Sequence, residues 1–137
     1  MMKAYWPALL WLVIITILSV MPNVQLPSFN LFSMDKLAHA GVYGIFTWLL
    51  LRGYEKFKGT PGNRIFVIIT CISIFYGVLM EFVQFAFIPG RFYEIDDMLA
   101  NAFGSIVGLA FFRTLFYKKY IHSLNHGRPK EILTILN

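Results

Sequence analysis

The chain has 137 residues, 58% of them hydrophobic and 14% charged, whereas soluble domains run at roughly 45–50% and about 25%. With a mean hydropathy of +0.63, this composition excludes an ordinary soluble domain and places one domain in a bilayer. The net charge of +5 indicates no nucleic-acid partner once the basic residues are placed along the chain, and the single Cys71 excludes a disulfide within the chain.

Four apolar runs stand out, and about 17–25 residues span the hydrocarbon as a helix. The first, "AYWPALLWLVIITILSVM", predicts a helix near 4–21. Its length, and the lack of a small-x-small cleavage site after it, argue against a signal peptide. Trp6 and Trp11 read as interfacial and lipid-facing anchors. The segment "PNVQLPSFNLF" (22–32) has two prolines that oppose a helix, and it is expected to lie over one face like a lid.

The second run predicts a helix near 35–51, long enough to span if Asp35 and Lys36 lie at the headgroup level. "RGYEKFKGTPGNR" (52–64) then reads as a basic connector. The third run, "IFVIITCISIFYGVLMEFVQFAFI", predicts a helix near 65–88, and the loop "PGRFYEIDD" leads to the fourth, near 97–117. Residues 118–137 read as a basic cytoplasmic tail.

Ten of the twelve basic residues fall on one side of this four-pass arrangement; Lys36 and Arg91 are the exceptions. The positive-inside rule then places both termini in the cytoplasm. The fold class expected is all-α: an integral membrane bundle of four transmembrane helices, multi-pass in the cytoplasmic membrane and in contact with membrane lipids.

Polar residues interrupt three of the runs at matching depth. Steps of four set Asp35, His39 and Tyr43 on one helix face, with His39 about 6 Å and Tyr43 about 12 Å along the rise from Asp35. Glu81 and Gln84 lie near the outward end of the third run, and Asn101 lies about 6 Å below Asp97 in the fourth. The cytoplasmic half carries no comparable set. Asp97, Asn101, Gly104 and Gly108 form one stripe, and Gly104-x-x-x-Gly108 is a small-xxx-small pattern that admits close helix approach. A charge facing lipid costs at least about 2.5–3.5 kcal/mol, so these groups are expected to meet inside a bundle, open to the outer face.

Asp35-Lys36-x-x-His39-x-x-x-Tyr43, Glu81-x-x-Gln84, Pro89-Gly90-Arg91 and Asp97-x-x-x-Asn101-x-x-Gly104-x-x-x-Gly108 together resemble the VanZ-like family. The resemblance covers residues 35–108, with the first run compatible, and implies a VanZ-like transmembrane domain over residues 1–117. It implies a bacterial membrane location and, through one member of the family, a link to teicoplanin resistance. It implies no agreed biochemical activity.

Two readings follow. In the first, the site recognises or processes an anionic molecule, a lipid-linked or cell-wall precursor. Glu81, His39 and Asp97 are then the candidate catalytic residues, His39 because an imidazole titrates near neutrality. Arg91, Lys36, Asp35, Tyr43, Gln84 and Asn101 are candidate substrate-binding residues, Arg91 because a guanidinium grips phosphate or carboxylate in two places. In the second reading the cluster is interhelical glue in a scaffold without catalysis. Transport would require a homo-oligomer, since four short helices enclose too small a pathway. His39 with Asp35, Glu81 or Asp97 offers oxygen and nitrogen ligands, but one histidine without a paired metal motif gives no metal expectation. No cofactor is expected.

Overall fold

The computed structural model describes residues 2–21 and 31–125. These residues form four helices and no strand: α1 (Met2–Val20), α2 (Leu31–Lys58), α3 (Asn63–Phe87) and α4 (Ile95–Asn125). Of the proposed lid, residues 22–30 lie outside the described residues, as does the tail from residue 126, while Leu31 and Phe32 open α2.

Two helices run further than their apolar cores. α2 continues past Leu51 to Lys58 through Gly53, where a Cβ would meet the Tyr5 ring of α1; charge marks a change of solvent there and not the end of a helix. It stops at Gly59, which takes φ +88°, the left-handed conformation that closes many helices. α4 runs beyond Tyr117 to Asn125, since residues 118–125 contain neither glycine nor proline. α3 starts directly after Pro61-Gly62 and ends where Ile88 leaves the helix before Pro89, as the restriction on the residue before a proline requires.

Three segments are long and apolar enough to cross a membrane: Lys3–Val20, Asn63–Phe87 and Ile95–Phe116. α2 carries too many polar residues to join them on composition. Its packing explains why: α2 contacts α1, α3 and α4, while α1 and α4 do not meet among the described residues. A helix surrounded by three others presents less of itself to lipid, so it can carry polar groups that the outer helices cannot. The outward surfaces of α3 and α4 are apolar, with Phe75, Phe87 and Phe103 well exposed. The fold is therefore an all-α membrane bundle.

The buried residues of α3 are Phe66, Ile69, Thr70, Ser73, Gly77, Met80, Glu81 and Gln84, a stripe at steps of three and four that marks one helix face. Glu81 and Gln84 thus occupy core positions. Two apolar clusters fill the interior. Ile15, Tyr43, Phe46 and Met80 join α1, α2 and α3. Leu51, Phe66, Ile69 and Phe112 join α2, α3 and α4 nearer the opposite end. Trp11 is not a lipid-facing anchor: its indole Nε1–H donates to the carbonyl of Val42 across the α1–α2 contact at 3.0 Å. An indole needs a partner once covered, and a carbonyl oxygen retains a second lone pair after its helical bond. Trp6 is exposed.

The closest contact is between α2 and α4. A Cβ placed on Gly104 would collide with the backbone of Ala40, and one on Gly108 with the backbone of Gly44. Glycine at both positions lets the two backbones touch. Because the obstacle is backbone, which cannot move aside as a side chain does, Gly104→Leu is expected to destabilise the bundle by the upper part of about 1–3 kcal/mol or more. Gly41 has open space around it, so Gly41→Ala is expected to be neutral or stabilising. Thermal unfolding of both variants in detergent checks the pair.

Candidate functional site

His39 lies at the centre of the polar end of the bundle. It sits one turn after Asp35 on α2, and the close α2–α4 approach at Ala40 and Gly104 brings it against the first turns of α4. Its Nδ1 lies 3.1 Å from Asn101 Oδ1 and 3.8 Å from Glu81 Oε1 on α3. A neutral ring with its hydrogen on Nδ1 donates to Asn101 Oδ1 and keeps the Nε2 lone pair. Nε2 lies 3.6 Å from Asp97 Oδ2 and 3.9 Å from Asp35 Oδ1. One imidazole therefore links residues of α2, α3 and α4.

Asp97 divides its carboxylate between two partners. Oδ2 faces His39, and Oδ1 accepts from Lys36 Nζ at 3.3 Å. Lys36 also pairs with Asp96 at 3.5 Å. Both aspartates sit in the first turn of α4, where unpaired amides favour negative charge. They lie inside the helix, which begins at Ile95, and not at the capping position. Asp96 is largely exposed, whereas Asp97, Glu81 and Asn101 are each 3% exposed or less. Four carboxylates (Asp35, Glu81, Asp96 and Asp97) and two cations (Lys36 and Arg91) thus gather at one end.

Beside this network is a cavity of about 200 Å³ lined by Ser19, Asp35, His39, Tyr43, Glu81 and Arg91, with Gln84 at its edge. Arg91 reaches it through a tight turn. Pro89 followed by Gly90 at φ +80°, with the Arg91 amide donating to the Ile88 carbonyl at 3.2 Å, carries the signature of a type II turn, in which the third residue must tolerate positive φ. Arg91 Nε is buried without a hydrogen-bond partner, as are the Tyr43 hydroxyl and Asn101 Nδ2. Such groups cost free energy unless something satisfies them. They are the donors this site has left to offer.

The residues singled out from the sequence all lie at this end, but their surroundings differ. Asp35, Lys36, His39, Glu81, Asp97 and Asn101 form the network. Tyr43 and Arg91 line the cavity. Gln84 is turned toward α1, donating from Nε2 to the Ser19 carbonyl at 3.0 Å. Lys36 is held by carboxylates, which leaves Arg91 as the cation on the cavity. Ser19 was not anticipated, and it adds α1 to the site; a lone serine in an apolar run offers only a faint signal. Ser73 and Ser105 were also missed. Their hydroxyls pair at 3.0 Å, fastening α3 to α4 below the site. At the other end Arg52 pairs with Glu55 within α2, and Arg113 of α4 lies over the Phe66 ring of α3 at 5.6 Å.

The unpartnered Tyr43 hydroxyl gives a direct test of what the site is for. Tyr43→Phe removes no hydrogen bond made within the bundle, so its melting temperature is expected to be unchanged or raised. A hydroxyl serving as glue would instead cost about 0.5–1.5 kcal/mol when removed. Thermal unfolding of the purified variant distinguishes the two.

No curated protein and no solved structure matches the chain. The sequence profile of one family, VanZ/LLP1, matches residues 3–117. That stretch contains α1 but for Met2, all of α2 and α3, and the whole membrane-crossing part of α4, together with every residue of the polar end, and the chain is a multi-pass membrane protein belonging to the VanZ/LLP1 family.

Proposed function

We propose that this protein is a bacterial envelope component whose polar site opens to the outer face of the cytoplasmic membrane and takes an anionic molecule, a lipid-linked or cell-wall precursor. The observation that carries the reading is Arg91: a guanidinium brought by a dedicated turn onto a cavity, with a buried Nε that nothing in the bundle engages. Such a group suits a phosphate or carboxylate. The basic residues support the orientation, because ten of twelve lie toward the opposite side, which the positive-inside rule assigns to the cytoplasm with both termini.

Chemistry on the bound molecule would use His39 and Glu81. The imidazole lies between Glu81 on one ring nitrogen and Asp97 on the other, an arrangement suited to passing a proton at the cavity wall. Asn101 and Asp97 hold the ring in place. Through the family, the reading extends to glycopeptide susceptibility, teicoplanin included.

A second reading is that the site is structural, in a scaffold that binds a partner. The interhelical bonds Gln84–Ser19, His39–Asn101 and Ser73–Ser105 favour it. The two separate in a strain where deletion of the gene gives an envelope-drug phenotype. On the first reading, Arg91→Ala and Glu81→Gln each reproduce the deletion while membrane protein levels stay normal. Native mass spectrometry of the purified protein then shows an anionic lipid retained by the wild type and lost from Arg91→Ala. Unchanged drug susceptibility in both variants refutes the first reading. A fall in folded yield that accounts for the whole phenotype of Glu81→Gln establishes the second.

A further inference from the structure

The sequence offers one histidine to the polar end and no paired metal motif, yet the fold supplies what the motif lacks. We infer that Asp35, His39 and Asp97 form a binding site for a divalent transition-metal cation of the Zn²⁺ or Mn²⁺ class. This goes beyond the anion-binding reading and does not rest on it.

Three observations support the assignment. The first is distance. One atom from each residue lies within 4.8 Å of the others, with His39 Nε2 at 3.6 Å from Asp97 Oδ2 and 3.9 Å from Asp35 Oδ1. An ion about 2.1 Å from each ligand holds neighbouring ligands roughly 3.4 Å apart in a tetrahedron, so only small shifts close the site. The second is the state of the imidazole. Asn101 Oδ1 lies within hydrogen-bond range of Nδ1, and with the ring hydrogen there Nε2 is the nitrogen that presents a lone pair to the two aspartates. Metal-bound histidines are oriented in this way, by an acceptor on the ring nitrogen that does not bind the metal. Lys36 engages Asp97 through Oδ1 and leaves Oδ2 to the ion.

The third is charge and an orphaned hydroxyl. Asp35, Asp96 and Asp97 outnumber Lys36 around the imidazole, and a divalent ion adds positive charge where these aspartates crowd. The cavity wall shared by Asp35 and His39 also contains Tyr43, 3% exposed, whose hydroxyl has no partner. Three protein ligands leave a coordination position open to water or another oxygen donor. One imidazole with two carboxylates favours borderline ions over soft ones.

The full-length protein in detergent, stripped with a chelator, is titrated with ZnCl₂ and with MnCl₂. Bound metal is measured by calorimetry and by elemental analysis after gel filtration. The expected result is stoichiometric binding of at least one of the two ions by the wild type. His39→Gln and Asp35→Ala are expected to weaken it by more than about tenfold, since even residues behind the ligands change affinity by about 10–100-fold. The Asp35 side chain is 55% exposed, so its loss leaves the bundle folded even where His39→Gln does not. Glu94→Gln, an exposed acid on the neighbouring loop, is expected to bind as the wild type does. Absence of binding by the wild type, undiminished binding by Asp35→Ala, or an equal loss in Glu94→Gln overturns the site. The measurement uses no envelope molecule, so its failure leaves the anion-binding reading standing.

Discussion

The contact between the α2 and α4 backbones governs the geometry of this protein. Helices that meet through larger side chains lie about 8–10 Å apart. Here Gly104 faces Ala40 and Gly108 faces Gly44 with no room for a Cβ on either α4 glycine. His39 adjoins Ala40, and Asn101 lies one turn before Gly104. The close approach is what puts the imidazole within 3.1 Å of the amide and, one turn further out, Lys36 within 3.3 Å of Asp97. Widening the helix pair by a single layer of methyl groups would place these groups beyond hydrogen-bond range.

That contact also settles where polar groups can be tolerated. Ionisable side chains in a bilayer must face one another or a cavity. α2 is covered by three helices, so it holds Lys36 and His39 largely covered, with Asp35 at its exposed outer end. α3 places Glu81 and Gln84 on its buried stripe, one turn after Gly77, whose missing side chain makes space for Asn101 and the Tyr43 ring. The turn at Pro89-Gly90 then swings Arg91 back over the opening. The site thus depends on three local devices: a glycine seam, a small-residue notch and a tight turn. Each is a backbone feature, and the functional side chains are positioned by it.

The electrostatic character of the site follows from this assembly. Each of α2, α3 and α4 alone carries one or two formal charges near this end. Brought together, they make a cluster in which carboxylates exceed cations while a lone guanidinium lines the cavity. On the two proposals above, an anion would sit at Arg91 and a cation beside Asp35, His39 and Asp97. A metal-bridged phosphate would satisfy both.

Much of this was legible along the chain because the relevant signals are local. Apolar runs of spanning length identify helices in a bilayer, and spacings of three and four identify the face each polar residue shares. The helix ends were less legible: α2 and α4 outran their apolar cores, since hydropathy reports the solvent around a helix and not its continuity. Ser19, Ser73 and Ser105 gave little warning, because a hydroxyl in an apolar run can equally bond its own helix, as Thr47 and Thr70 do. Periodicity could assign Trp11 to a surface but not to a neighbour. The order of residues thus established four helices, their small-residue seam and the set of polar groups at one depth. Which nitrogen of His39 faces which carboxylate, that Lys36 is held while Arg91 lines the cavity, and that Gln84 turns to α1 were decided by helix rotation and crossing. Those quantities arise from packing between segments distant in the chain, and no local pattern encodes them.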